Sequence, residues 1–271
     1  MILAEPKRTP YDLNFRLLGF PVRIHPLFWL VGFVLGFRGG PEGPDPIGIL
    51  TWMLVLFVSI LIHELGHALL IRRFGRPAHI VLYMLGGLAI EGEDSPYSPW
   101  ASHSTSSFSR GSRTPAEQII ISLAGPVAGF ILAAFVVVAV LATGGQVRPF
   151  LTDKYVPAID ATLGGAMADN MHLRYLVIGL LYFNIFWGLV NLLPVFPLDG
   201  GQIAQQIMIV HDPWGGAIRA LWISVFVGGA AAILAGVVFQ SMFVTLLFAS
   251  LAVSNYFTLQ QMGGGGGGRP W

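Results

Sequence analysis

The sequence predicts an all-α polytopic membrane protein, with about six transmembrane helices and a small β-hairpin or re-entrant strand region. Three observations carry this expectation. Of the 271 residues, 54% are apolar and only 11% are charged, whereas soluble domains carry about 25% charge. Apolar runs that reach or approach the roughly 17–25 residues needed to cross a hydrocarbon core recur along the chain. Residues 77–93, PAHIVLYMLGGLAIEGE, depart from this pattern, being rich in Val, Ile and Tyr and interrupted by Gly86-Gly87, as in a strand pair.

Residues 1–24 read as an N-terminal cytoplasmic segment. They lack the basic start, apolar run and small-residue cleavage site of a signal peptide and are expected to stay attached. Phe20-Pro21-Val22-Arg23-Ile24 alternates like the 77–93 run and is expected to join the same sheet. The first apolar run, Leu27 to about Phe37, is short enough to be tilted, re-entrant or extended into its flanks, and the Gly/Pro linker RGGPEGPDP follows at 38–46. The second run covers about 47–72. The third, about Ala116 to Ala142, contains SLAGPVAG at 122–129, whose Ser122, Gly125 and Gly129 read as small residues for close helix packing. The fourth to sixth span about His172 to Leu193, Ala217 to Val238 and Ser241 to Leu259. Residues 25–262 thus form one membrane domain. It contains a Ser/Pro-rich loop at 95–115 that reads as mobile, and a Gly-rich tail at 263–271 that is expected to be disordered.

Charge sets orientation and excludes some partners. A formal net charge of +1 offers no field to recruit nucleic acid. Lys7, Arg8, Arg16, Arg23, Arg72, Arg73, Arg76, Arg110, Arg113 and Arg219 fall on one side of a six-crossing topology, against Arg38, Arg148, Lys154 and Arg174 on the other. Lys and Arg concentrate in cytoplasmic loops, so both termini are expected in the cytoplasm. Trp29, Trp52 and Tyr256 near segment ends fit an aromatic belt.

The second run carries His63-Glu64-Leu65-Gly66-His67 with no other charge until Arg72-Arg73. An ionisable group at bilayer depth costs several kcal/mol unless paired or metal-bound, so it marks function by default. Histidines at i and i+4 lie about 40° apart on one helix face, which suits two nitrogen ligands of one zinc ion. Glu64 stands beside them as a general base. With no cysteine in the chain, a third ligand must come from His, Asp or Glu. Glu91, Glu93, Asp94 and Glu117 lie at loops or helix ends as solvated charges. Asp199 follows an apolar run in Asn191-Leu192-Leu193-Pro194-Val195-Phe196-Pro197-Leu198-Asp199-Gly200-Gly201. There two prolines break the helix and two glycines relax the backbone. It is either a ligand in a broken, cavity-lining segment or the cap of a helix starting near Gly200. His25, His79, His103, His172 and His211 have no partner at metal-ligand spacing and read as interfacial.

HELGH at 63–67, SLAGP at 122–126 and NLLPVFPLDGG at 191–201 together resemble the site-2 protease family of intramembrane zinc metallopeptidases, over roughly Phe20 to Leu259. The resemblance implies that His63, His67 and Asp199 bind one catalytic zinc ion, that Glu64 activates water, and that Asn191 lies near the substrate carbonyl. It implies hydrolysis of a peptide bond in or near a transmembrane segment of a membrane-protein substrate, within the lipid bilayer. The strand-like 78–92 region is expected to pair with an extended substrate segment. The PDZ or nucleotide-binding domains of many family members have no room here, and 95–115 and 143–171 have no assignable counterpart. A metal-ion transporter, or a non-catalytic membrane scaffold, is the alternative use of His and Asp among helices.

Overall fold

The structure is a computed structural model that describes residues 5–37, 39–40, 43–84, 86–92, 113–151, 157–165 and 169–264. Most of the 95–115 loop and residues 265–271 of the Gly-rich tail lie outside the described residues. The chain forms two compact units, residues 1–112, 124–149 and 159–188, and residues 113–123, 150–158 and 189–271.

In the first unit, strands β1 (Leu13–Leu17) and β2 (Phe20–Ile24) form a hairpin, turned by Leu18 and Gly19 at φ 51° and 85°. Two positive φ values match a two-residue turn whose twist suits paired strands. β2 then pairs in parallel with β3 (Ala78–Tyr83), Val22 opposite Ile80, and β3 pairs antiparallel with β4 (Gly86–Glu91). The sheet order is β1-β2-β3-β4, which leaves β4 on an edge. The expected union of 20–24 with 77–93 is borne out. β1 is the added strand: Leu13-Asn14-Phe15-Arg16-Leu17 alternates apolar and polar residues, yet nearly all of them are exposed. Gly86-Gly87 begin β4 rather than forming the turn.

Helix α1 (Pro26–Gly36) has eleven residues, about 16 Å at 1.5 Å per residue. His25 caps it, its Nδ1 accepting from the Leu27 N–H at 3.2 Å. Helix α2 (Pro46–Arg73) starts with Asp45 accepting from the Gly48 N–H at 3.0 Å and ends on Arg72 and Arg73, cations that suit the negative end of the helix dipole. Arg72 also reaches the hairpin, donating to the Leu18 carbonyl at 2.8 Å with its guanidinium 4.0 Å from the Phe20 ring centroid. Helix α3 (Pro115–Ala142) opens with a reciprocal Thr114–Glu117 capping box. After α3 come strands β5 (Gln146–Leu151) and β6 (Pro157–Thr162) in a two-stranded sheet. Helix α4 (Met171–Asn191) contains a π-helical stretch at Phe183–Trp187. Ala133, Val136, Ala161 and Leu181 form a core cluster.

The second unit contains the first turns of α3, then α5 (Asp199–His211), α6 (Gly216–Val237) and α7 (Met242–Gly264). Val195, Ala232, Phe248 and Leu251 form its core. Among the described residues, α2, α3, α4, α6 and α7 are long and apolar enough to cross a membrane, and α1 is the short sixth segment. Phe135, Phe226, Ile233 and Val237 are all more than two-thirds exposed, as lipid-facing side chains are. The protein is an integral membrane protein.

Arg23 is the largest fully buried side chain. It pairs with Glu5 at 2.5 Å and Asp12 at 3.2 Å, and donates to the Pro6 carbonyl. His79 Nε2 stands 3.7 Å from the same Glu5 carboxylate. His79, followed by Arg23, holds the Glu5 carboxyl below the usual glutamate range against the opposing effect of burial. Removing one partner of a buried ion pair strands the other charge, so Arg23→Ala is expected to cost about 3–5 kcal/mol, read as a lower thermal midpoint in detergent. A carboxyl held low in the folded state adds stability above its ordinary titration range and loses it as pH falls. Acidification from about pH 6 to 3 should therefore lower the wild-type midpoint more than that of Glu5→Gln.

Candidate metal centre

The histidine pair sits where α2 is most enclosed. His63, Glu64 and His67 are all buried, within a helix that is otherwise apolar up to Arg72. The two Nε2 atoms lie 3.2 Å apart, with the rings inclined at 77°. Two nitrogens bonded at about 2.0–2.1 Å to one tetrahedral ion stand about 3.3 Å apart, so the pair already has a chelating geometry.

Glycines make this geometry possible. A Cβ on Gly66 would lie 2.4 Å from the Ala124 carbonyl oxygen and 2.9 Å from the Ala128 Cβ, so α2 and α3 touch at backbone distance beside the histidines. A Cβ on Gly125 would lie 2.2 Å from His67 Nε2 and 2.7 Å from His63 Nε2. Gly125 therefore keeps open the space in front of both nitrogens. The packing reading of Ser122, Gly125 and Gly129 is incomplete for Gly125, which borders the site. One turn before His63, Ser59 accepts a 2.8 Å hydrogen bond from Asn184 in the π-helical stretch of α4, and such stretches are frequent at functional sites.

Strand β4 reaches the same place from the sheet. A Cβ on Gly87 would lie 2.2 Å from Glu64 Cγ and 2.8 Å from its Oε1, so only glycine lets an edge strand run this close to the carboxylate. The sequence marked Gly86-Gly87 only as an interruption.

Asp199 is presented by the second unit. Leu198 occupies the N-cap of α5 and Asp199 is the first helical residue, buried, so the helix-cap alternative is replaced by a first-turn carboxylate, a position the helix dipole favours for negative charge. The following glycines do not relax the backbone. They are helical and buried, and a Cβ on Gly200 or Gly201 would lie 2.1 Å from the Leu192 oxygen or 2.3 Å from the Phe196 nitrogen. The first turn of α5 is thus pressed onto the 192–196 segment. That segment is tied down by Ser224 and Asn255, and by Gln202, which donates to the Pro197 carbonyl at 3.3 Å and accepts from Gln118 at 2.9 Å. These four polar residues form no motif in the sequence, because their partners lie on other segments or across a turn.

Potential ligand atoms of His63, His67 and Asp199 lie within 4.8 Å of one another, the one such group of three among the described residues. Two imidazole nitrogens and a carboxylate, with a glycine beside both nitrogens, fit a zinc ion with one position left open. Asn191 is buried at the end of α4. Glu91 is exposed and pairs with Arg76, Glu117 serves the α3 cap, and Glu93 and Asp94 lie outside the described residues. Of the other histidines, His25 is a cap, His79 is buried against Glu5 rather than interfacial, and His211 bonds the Ile207 carbonyl.

A sequence profile of peptidase family M50 matches residues 51–234. Zinc metalloprotease MJ0392 of Methanocaldococcus jannaschii is 26% identical over 196 residues, covering 72% of this chain and 44% of that protein. Rip3 of Mycobacterium tuberculosis is 27% identical over 205 residues, covering 71% and 42%. The chain thus spans less than half the length of these curated relatives. A solved structure, the site-2 protease from Methanocaldococcus jannaschii, shares the fold with a TM-score of 0.50 at 20% identity, covering 92% of this chain and 95% of that one. The resemblance carried by HELGH, SLAGP and NLLPVFPLDGG is borne out at the level of family and fold. Filling the space before the imidazoles should displace them, so Gly125→Val is expected to reduce bound zinc affinity about tenfold or more, measured by chelator competition on the folded protein.

Proposed function

This chain belongs to peptidase family M50, and from that membership we propose that it is an intramembrane zinc endopeptidase, cleaving a peptide bond in or near a transmembrane segment of a membrane protein. The observation that carries the reading is the convergence of His63, His67 and Asp199 ligand atoms within 4.8 Å, beside a buried glutamate. His63 and His67 would hold the metal through neutral imidazole nitrogens and Asp199 through its carboxylate. When bound, zinc supplies a Lewis acid that lowers the pKa of a water towards about 7.

The chain's own residues supply the rest. Glu64 is placed to accept a proton from the attacking water at a carboxylate oxygen and to deliver it to the leaving amine. Its packing against Gly87 restricts its rotamers, which holds the carboxylate oriented for these transfers. Asn191 is assigned a contact with the substrate carbonyl, a role its Nδ2 donor can fill. A spanning helix hides its amides in its own hydrogen bonds, so the substrate must unwind locally before attack. The β4 edge offers the unwound stretch a hydrogen-bonding partner, and Gly87 sets that edge beside Glu64. The charge distribution favours a cytoplasmic N-terminus.

Glu64→Gln is expected to keep its metal and to lose about 10²–10⁴-fold in cleavage of a single-span reporter in liposomes. Asp199→Ala should lose metal. Undiminished turnover by Glu64→Gln would reject the proposed base, and zinc flux across the liposomes that persists in that variant would favour a transporter. Ala89→Pro removes a β4 backbone donor that the Gly92–Pro77 bond and the β3–β4 register place on the free edge, and is expected to raise KM for the reporter while metal content stays constant. An unchanged KM would remove the edge-pairing step.

A further inference from the structure

Phe196 lies three residues before Asp199, and both of its main-chain polar groups end on side chains of membrane helices. Its N–H donates to Ser224 Oγ of α6 at 2.9 Å, and its carbonyl accepts from Asn255 Nδ2 of α7 at 2.6 Å. The Ser224 hydroxyl donates in turn to the Ala220 carbonyl at 2.9 Å, and the Asn255 amide also reaches the Leu251 carbonyl at 2.8 Å. Both residues are almost wholly buried, 1% and 3% exposed, inside otherwise apolar helices. Neither helix requires them, because the Ala220 and Leu251 carbonyls already accept from the helix backbone and an alanine or leucine would suit the packing. What they satisfy is a peptide with no helix or sheet of its own at membrane depth, where an unpaired N–H or C=O is costly.

The same peptide is the seat of the Asp199 turn. A Cβ on Gly201 would stand 2.3 Å from the Phe196 nitrogen and 2.6 Å from its Cα, so the first turn of α5 rests directly on Phe196. A shift of this peptide cannot be absorbed by a gap. It moves the turn that carries the carboxylate.

We propose that Ser224 and Asn255 are positioning residues for Asp199 as a metal ligand, acting through the Phe196 peptide and the glycine-tight start of α5. The inference rests on the reading of Asp199 as a ligand. It makes α6 and α7 part of the metal centre's support, although neither contributes a ligand. Deleting the Ser224 hydroxyl frees the Phe196 N–H, deleting the Asn255 amide frees its carbonyl, and in both cases the turn that carries the Asp199 carboxylate loses its fixed seat. A merely structural role would lower thermal stability and leave metal affinity unchanged in the folded fraction.

The test uses the full chain, purified in detergent, as wild type, Ser224→Ala, Ser224→Thr, Asn255→Leu and Asp199→Ala. Zinc dissociation constants come from competition with a chromophoric chelator on the monodisperse fraction, visible absorption spectra from cobalt-loaded samples, and thermal midpoints from the metal-free proteins. Ser224→Ala and Asn255→Leu are expected to weaken zinc binding about tenfold to a hundredfold, the range for partners that orient metal ligands. Both should alter the cobalt spectrum, and Ser224→Thr, which keeps the hydroxyl, should retain wild-type affinity. Affinities within about twofold of wild type and an unchanged spectrum in folded Ser224→Ala would overturn the proposal. Should Asn255→Leu yield no monodisperse protein, Ser224→Ala, which removes a single oxygen atom, decides the matter alone. An Asp199→Ala protein that binds zinc as tightly as wild type would instead reject Asp199 as a ligand.

Discussion

Everything around the site follows from one constraint: two imidazoles and two carboxylates are buried among apolar helices, where charge and unpaired polar atoms are expensive. The chain meets that cost by packing backbone against side chain. Gly66 brings α3 onto α2 at the level of the histidines, Gly125 leaves their nitrogens clear, and Gly87 lets a strand lie on Glu64. An alanine at any of the three would place a carbon inside the contact distance of the Ala124 backbone, the imidazoles or the Glu64 side chain.

The same constraint explains the broken segment at 192–198. A helix satisfies its own backbone, and this stretch forgoes that to aim Asp199 from the start of a new helix. Its peptides are then satisfied individually, by Ser224 and Asn255 at Phe196 and by Gln202 at Pro197, with Gln118 holding Gln202. Polar side chains that look out of place in α6 and α7 are the counterpart of the helix break.

A second, separate expense is the burial of Arg23 in the sheet. Glu5 and Asp12 neutralise it, so the N-terminal residues are tied to the strands that run beside α2. Sheet and helix meet twice more, through Arg72 on the β1–β2 hairpin and through Gly87 on Glu64. The β4 edge is therefore held against the carboxylate by several contacts rather than by one loop.

The sequence by itself determined the membrane class, the long apolar helices and the pairing of 20–24 with 77–93, and it marked His63, Glu64, His67 and Asp199 as candidates for a metal centre. These signals are local: apolar length, alternation, and an i,i+4 histidine pair in a setting that makes chance polar residues costly. The tertiary structure alone decided which small residues face the chemistry, that Asp199 begins a helix rather than capping one, and that β4 lies on Glu64. It also showed that Ser224 and Asn255 serve the Phe196 peptide, far from both in sequence, and that Gln118 holds the distant Gln202. The physical reason is that a glycine or a lone polar residue has the same local signature wherever it points. Its meaning is set by the neighbour it meets, and for Gly125, Gly87 and Asn255 that neighbour lies 58, 23 and 59 residues away along the chain.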